Sequence, residues 1–219
     1  MIRFESVTKK YGDTIVLDKV DVEIKEGEFV YLTGPSGAGK TTLLRLILKE
    51  EDPDSGKIFL EDKDISVLSN KDLPFVRRKV GFVFQDFKLL QSKNAFDNVA
   101  IALEVIGKSD EQIEKIVPDL LSSVGLLKKA KNYPWQLSGG EKQRLAIARA
   151  IALEPKIIVA DEPTGNLDQA TSWEIVNLLK DINENMGATI IIATHDTGLI
   201  NNMKKRVLHL EEGRLIKHE

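Results

Sequence analysis

Gly34-Pro35-Ser36-Gly37-Ala38-Gly39-Lys40-Thr41 is the stretch on which the reading of this chain turns. It fits G-x-x-x-x-G-K-[ST], a phosphate-binding loop. Glycines let consecutive backbone N–H groups turn inward around phosphate oxygens. A helix beginning near Lys40 presents the positive end of its dipole to the same phosphates. Lys40 supplies a mobile point charge for the β- and γ-phosphates, and Thr41 offers a hydroxyl to Mg²⁺. Average residue usage would place this pattern by chance in on the order of 1% of chains this long. Its surroundings also fit. Residues 28–33 form a short apolar run before the loop, and Leu43, Leu44, Ile47 and Leu48 make a helical stripe after it.

Two further stretches gain meaning from that loop. Residues 157–160 are an apolar strand ending in Asp161-Glu162. In a phosphate-loop fold the first acid serves the Mg²⁺ shell, usually through water, and the second orients or deprotonates water near the γ-phosphate. Taken alone, such a pair is often just a strand reaching the surface. Leu137-Ser138-Gly139-Gly140-Glu141 precedes the helix-forming residues 142–153. Ser138 and the glycine N–H groups make a second anion site at a helix N-terminus. The bland reading is an ordinary N-cap; the sharper one is a site for the nucleotide held by a second copy of the chain.

Around these motifs the chain alternates. Residues 18–24 place Val20, Val22 and Ile24 on one strand face, residues 80–84 form a strand, residues 169–185 a helix and residues 189–193 a buried strand. Such β-α alternation predicts a parallel sheet flanked by helices. The middle is different. Ser109 reads as a helix N-cap with Gln112 as its box partner, and Ile113, Ile116, Val117, Leu120, Leu121 and Val124 recur at helical spacing. Pro118, inside that pattern, is expected to kink or split the helix. Residues 87–135 are therefore expected to be an inserted helical subdomain.

Composition narrows the function classes. Lys plus Arg is 31 and Asp plus Glu is 34, a net charge of −3, without the basic excess of a general nucleic-acid binder. There is no cysteine, which excludes disulfides, zinc-thiolate sites and thiol nucleophiles. Residues 1–6 show no basic stretch leading into an apolar core, so no signal peptide is expected. The longest apolar runs, such as 99–103 and 190–193, fall far short of a membrane span. Work at a membrane would need spanning helices from another chain.

From one end to the other, these landmarks resemble the ATP-binding subunit of an ABC transporter-type ATPase. Residues 137–141 resemble the ABC signature, a far more specific motif than the phosphate loop. The resemblance implies an α/β ABC-type nucleotide-binding domain over residues 1–219: a phosphate-loop core (1–86 and 136–219) with a mixed sheet flanked by helices, plus the helical subdomain. It implies ATP and Mg²⁺ as ligands. Tyr11 would stack on adenine, and Gly34, Pro35, Ser36, Gly37, Ala38, Gly39, Lys40, Thr41 and Thr42 would bind the nucleotide. Gln85 matches the glutamine loop between γ-phosphate, metal and subdomain, so Thr41, Gln85 and Asp161 form the implied metal set. Glu162, His195, Lys40 and Gln85 are the implied catalytic residues, with His195 contacting the γ-phosphate. Asn166-Leu167-Asp168 matches the loop that crosses the dimer seam, so Ser138, Gly139, Gly140, Glu141 and Asp168 would reach the partner copy's nucleotide. His209 and His218 have no such context.

Phe84-Gln85-Asp86-Phe87-Lys88-Leu89-Leu90, residues 98–107 and Pro163-Thr164-Gly165-Asn166-Leu167-Asp168 look most like the subfamily that serves bacterial cell division. That resemblance implies a homodimer on ATP binding, peripheral at the cytoplasmic face of the inner membrane. It also implies a membrane-spanning partner, contact with the division machinery and no nucleic acid. Phe87, Leu89 and Leu90 would form the docking surface, unless they are core. The Pro-Thr-Gly-Asn stretch is shared with lipoprotein-releasing and macrolide-exporter ATPases, the leading alternative. A translation factor would carry two cassettes, a repair ATPase a long coiled coil, and a dead scaffold would not keep both Glu162 and His195.

Overall fold

The computed structural model describes residues 2–216; His218 lies outside them. Strands β1 (Ile2–Tyr11) and β2 (Thr14–Ile24) form an antiparallel hairpin. Strand β3 (Phe29–Thr33) begins a second sheet, while β4 (Ser55–Leu60) and β5 (Lys63–Asp64) extend the first, whose order is β2-β1-β4-β5. Strands β6 (Val80–Val83), β7 (Ile157–Asp161), β8 (Thr189–Ala193), β9 (Arg206–Glu211) and β10 (Arg214–Ile216) join β3 in the order β10-β9-β3-β8-β7-β6. Strands β9, β3, β8, β7 and β6 run parallel, and β10 turns back antiparallel on the β9 edge. The sheet is mixed, as the resemblance implied.

Strand period sorts the core into two clusters. Val30, Leu32, Ile157, Val159, Ile191 and Ala193 face helix α1 (Lys40–Ile47) and the antiparallel sheet. Their chain neighbours Phe29, Tyr31, Ile158, Ala160, Ile190 and Ile192 face the opposite side. There the sheet meets α3 (Ala95–Val105), α4 (Asp110–Ser123), α5 (Gly139–Ile151) and α6 (Gln169–Met186); short helices α2 (Leu73–Lys79) and α7 (Thr197–Met203) complete the set. Helix α1 packs against both sheets, so it buries Thr42 and Leu46 as well as the predicted stripe. Each such leucine or isoleucine contributes roughly 1.5–3 kcal/mol of transfer free energy.

The Ser109 capping box forms: Ser109 Oγ accepts from the Gln112 N–H, and Gln112 Oε1 accepts from the Ser109 N–H at 3.1 Å. The expected split at Pro118 does not occur, because α4 runs through it to Ser123. The missing N–H orphans the carbonyl of Glu114, an exposed residue where water can replace the lost bond. Val99, Leu103, Ile113 and Val117 share one continuous apolar cluster with Leu145 of α5 and Ile158 of β7.

Candidate functional site

The phosphate loop joins the end of β3 to α1, and two glycines fix its path. Gly34 has φ 145°, and a Cβ there would lie 2.0 Å from the Leu210 carbonyl oxygen. Gly39 has φ 102°, and its Cβ would lie 2.8 Å from the Val16 oxygen. The loop is thus pressed between β2 and β9, with no room for a side chain at either contact. Lys40 Nζ donates to the carbonyls of Gly34 (2.8 Å) and Pro35 (3.0 Å), which parks the ammonium over the loop. Thr41 and Thr42 follow in the first turn of α1, at the positive end of its dipole.

The loop floors a cleft of about 580 Å³ whose walls include Gln85, Asp161, Glu162 and His195. Asp161 ends β7, and Glu162 follows with φ 48°, its N–H donating to the Ala193 carbonyl at 2.9 Å. Parallel pairing of β7 with β8 therefore carries the acidic pair and His195 to the same edge. Burial pushes the Asp161 carboxyl above its ordinary range; the Thr41 hydroxyl, hydrogen-bonded to it, opposes this, and the Glu162 charge adds to it. A half-buried carboxylate touching a hydroxyl is a donor set suited to a hard divalent cation. Among the described residues no group of three or more His, Cys, Asp or Glu gathers to hold a metal. The donors present fit Mg²⁺, which takes few protein ligands and completes its shell with phosphate and water.

His195 Nδ1 lies 3.0 Å from both Glu162 carboxylate oxygens. Asn166 Nδ2 donates to the Gln85 carbonyl at 3.3 Å, which ties the glutamine loop to the segment after Glu162. Val16 also lines the cleft. Sequence reasoning missed it, since nothing in a strand's alternation marks one valine as facing a ligand. Tyr11 closes β1 half-exposed, its hydroxyl donating to Glu51, and it does not line the cleft.

Ser138 N-caps α5: its hydroxyl accepts from the Glu141 N–H (3.3 Å), and Glu141 returns the bond to the Ser138 N–H at 3.0 Å. Lys129, 2.5 Å from Glu141, holds that carboxyl below its ordinary range. Asp168 likewise caps α6, accepting from the Thr171 N–H and hydroxyl (2.9 and 2.6 Å), bonds that lower its pKa. Gly139 and Ser138 are exposed, but Gly140 is buried, and a Cβ on it would lie 2.4 Å from Thr171 Cγ2. Gly140 is therefore set where α5 crosses α6.

Of the expected docking residues, Leu90 is 38% exposed, Phe87 is partly buried and Leu89 is a core residue, 8% exposed. Leu89 is corrected accordingly: its side chain packs inward. Phe87 and Lys88 both have positive φ (62° and 46°), and Arg149 of α5 donates to their carbonyls at 2.9 and 2.8 Å. That clamp was not legible in the sequence. Beside it runs a groove of about 330 Å³ lined by Arg77, Arg78, Phe82, Phe84, Lys88 and Arg149.

A phosphate loop, a half-buried Asp followed by Glu, a histidine on that Glu and a capped glycine helix together define a nucleoside-triphosphatase cassette. The chain belongs to the ABC transporter family, whose model matches residues 17–165, and it is an ATP-hydrolysing subunit of that family. Over its full length it is 49% identical to the cell division ATP-binding protein FtsE of Bacillus subtilis, covering 96% of that protein. It is also 49% identical to FtsE of Escherichia coli K12, over 98% of this chain and 97% of that one. Among solved structures, a dimeric post-hydrolysis state of the ATP-binding cassette MJ0796 bound to ADP and Pi superposes with a TM-score of 0.90 at 38% identity, covering 100% of this chain and 98% of that one. A second dimeric structure of MJ0796 gives 0.91 at 39% identity, with the same coverage.

Proposed function

We propose that this chain is the ATP-binding and hydrolysing subunit of a bacterial membrane complex in cell division, built from two copies packed head to tail. The observation that carries the reading is the convergence of Lys40, Thr41, Gln85, Asp161, Glu162 and His195 on one cleft. ATP lies between residues 34–42 of one copy, with Tyr11 at its base, and Ser138, Gly139, Gly140, Glu141 and Asp168 of the other. In that role Gly140 acts through the close α5–α6 crossing, which positions the Ser138 cap. Thr41, Asp161 and Gln85 would hold Mg²⁺, which would supply positive charge beside the phosphates. Lys40 leaves the loop carbonyls for the β- and γ-phosphates. Glu162 leaves His195, polarises the attacking water and takes its proton. His195 then holds the γ-phosphate in line. Such positioning and charge stabilisation dominate phosphoryl transfer. Because ATP is part of the interface, binding closes the dimer and hydrolysis opens it.

No helix among the described residues is long and apolar enough to cross a membrane, so attachment at the cytoplasmic face of the inner membrane is assigned to a spanning partner. The likeness to FtsE proteins supports FtsX as that partner, through which closure would act on cell-wall hydrolases. The groove beside Gln85, with its basic rim, the Phe82–Phe84 pair (4.2 Å) and the flanking Phe87 and Leu90, is the assigned dock. The test is capture from detergent-solubilised membranes of the source cell with Glu162→Gln and Mg-ATP as bait. A small membrane protein accompanied by division proteins is expected. A lipoprotein-sorting or drug-export partner would keep the ATPase and move its role. Absence of any membrane partner would overturn the assignment.

A further inference from the structure

A second groove, of about 720 Å³, lies at the end of the parallel sheet away from the nucleotide cleft. The cleft gathers where β3, β7 and β8 end; this groove is lined by Glu26, Lys156 and Ala188, which stand just before the same three strands. Three helices meet there. Ile116 and Leu120 of α4 are partly exposed, Ile151 of α5 is buried, and Met186 at the end of α6 is 41% exposed. Apolar side chains left facing an open groove of this size mark an interaction surface.

The charge of the groove is one-sided. Glu26, Asp119 and Glu154 line it, all three exposed, and among the described residues none of them forms a salt bridge. Lys156 is the cation that lines it; its ammonium is taken by Glu61 at 2.9 Å, with the Glu26 charge acting on it as well. Lys115, one turn before Asp119 on α4, is paired with Glu111 at 2.8 Å. Pro155 lines both this groove and the one assigned above as the dock, whose cations are Arg77, Arg78, Lys88 and Arg149. The two grooves therefore make one continuous face, basic on one side of Pro155 and acidic on the other.

We infer that the acidic groove receives a lysine- and arginine-bearing amphipathic helix from the cytoplasmic part of the membrane-spanning partner. Cytoplasmic segments of membrane proteins carry an excess of Lys and Arg. An apolar groove takes the apolar face of a helix through anchors at i, i+3, i+4 and i+7, and the rim acids select the sign of its polar face. Met186, unbranched and flexible, adapts to the incoming side chains. Residues 34–42, 138–141 and 168, assigned to the head-to-tail contact, do not line the groove, so that dimer leaves it open. The inference rests on the reading of this chain as the ATPase of a membrane complex.

The chain has no cysteine, so Ser123→Cys, at an exposed position lining the groove, gives a single attachment point for a thiol-linked photocrosslinker. The full chain carrying Ser123→Cys and Glu162→Gln is bound with Mg-ATP to solubilised membranes of the source cell and illuminated, and the cross-linked peptide is sequenced by mass spectrometry. The expected product is a cytoplasmic segment of the spanning partner with Lys or Arg along one helical face. Asp119→Lys combined with Glu154→Lys should cut that cross-link at least tenfold, with a urea midpoint like the parent's to show the variant folded. The same two charge changes at exposed Asp13 and Glu212, away from the groove, should leave it in place. A captured partner that Ser123→Cys never reaches, a cross-link to an acidic segment or to a second copy of the chain, or one that charge reversal does not reduce overturns the inference and leaves the membrane-complex reading standing. A parent bait that captures no spanning partner overturns both.

Discussion

The imidazole of His195 stands 3.0 Å from both carboxylate oxygens of Glu162, so the groups assigned to γ-phosphate and to water meet each other first. The two are unequally placed: the His195 side chain is 75% exposed and that of Glu162 only 16%. They also form a wall between the nucleotide cleft and a second cavity of about 320 Å³ lined by Thr164, Gln169 and Ser172. Entry of the γ-phosphate must part them. His195→Ala is expected to lower kcat by about 10²–10³-fold, the usual loss for a group that stabilises transition-state charge. KM for ATP should change little; steady-state kinetics checks the split, and an unchanged kcat would remove His195 from the reaction.

The loop glycines are not equivalent. At Gly34 the strain of φ 145° coincides with a 2.0 Å clash against the Leu210 carbonyl, whereas a Cβ at Gly37 (φ 79°) meets nothing within 4 Å. Gly34→Ala should cost about 3 kcal/mol or more, from backbone strain plus overpacking, and Gly37→Ala about 1 kcal/mol, from strain alone. Urea unfolding followed by tryptophan emission measures both.

Glu61 links the antiparallel sheet to the parallel one. Lys79, and then Lys156 at 2.9 Å, hold its carboxyl down to about 2 from an ordinary 4.5. A depressed carboxyl stabilises the folded state fully above pH 4.5, and that contribution is lost as pH falls toward about 2. Glu61→Gln should therefore be less stable than the parent at pH 7, by no more than about 1 kcal/mol for a partly exposed cluster. The gap should narrow as pH drops from 4.5 toward 2. Denaturant midpoints across that range test the sign.

Adjacent leucines separate packing from docking. Leu89 is 8% exposed and Leu90 38%. Leu89→Ala should cost about 2–4 kcal/mol of stability. Leu90→Ala should cost under about 0.5 kcal/mol and show itself in weaker capture of the membrane partner. Phe87→Ala, between the two in burial, is expected to keep ATPase activity and lose capture; an unfolded protein would assign Phe87 to the core instead.

Much of the site was legible because its chemistry is local. The phosphate loop, Asp161-Glu162 after an apolar run, and the Ser109 and Ser138 caps each depend on neighbours within a few residues. What was hidden depends on distant partners. Arg149 clamps the Phe87 and Lys88 carbonyls across 62 and 61 positions of sequence. Gly140 is set by Thr171, and Leu89 by the core beneath it. The same holds for His209, whose Nδ1 lies 3.0 Å from Thr33 Oγ1 through the β3–β9 pairing. At Pro118 the split half of the expectation fails: the helix stays continuous, with Ile113, Val117 and Leu121 packed in the core on either side of the proline.

The most direct test of the central claim is turnover and assembly of Glu162→Gln measured on the same sample. Hydrolysis should fall by at least about a hundredfold while ATP still binds and drives two copies into a stable dimer, because the base is gone and the phosphate contacts remain. Turnover at the parent rate, or loss of ATP binding together with turnover, would contradict the role given to Glu162.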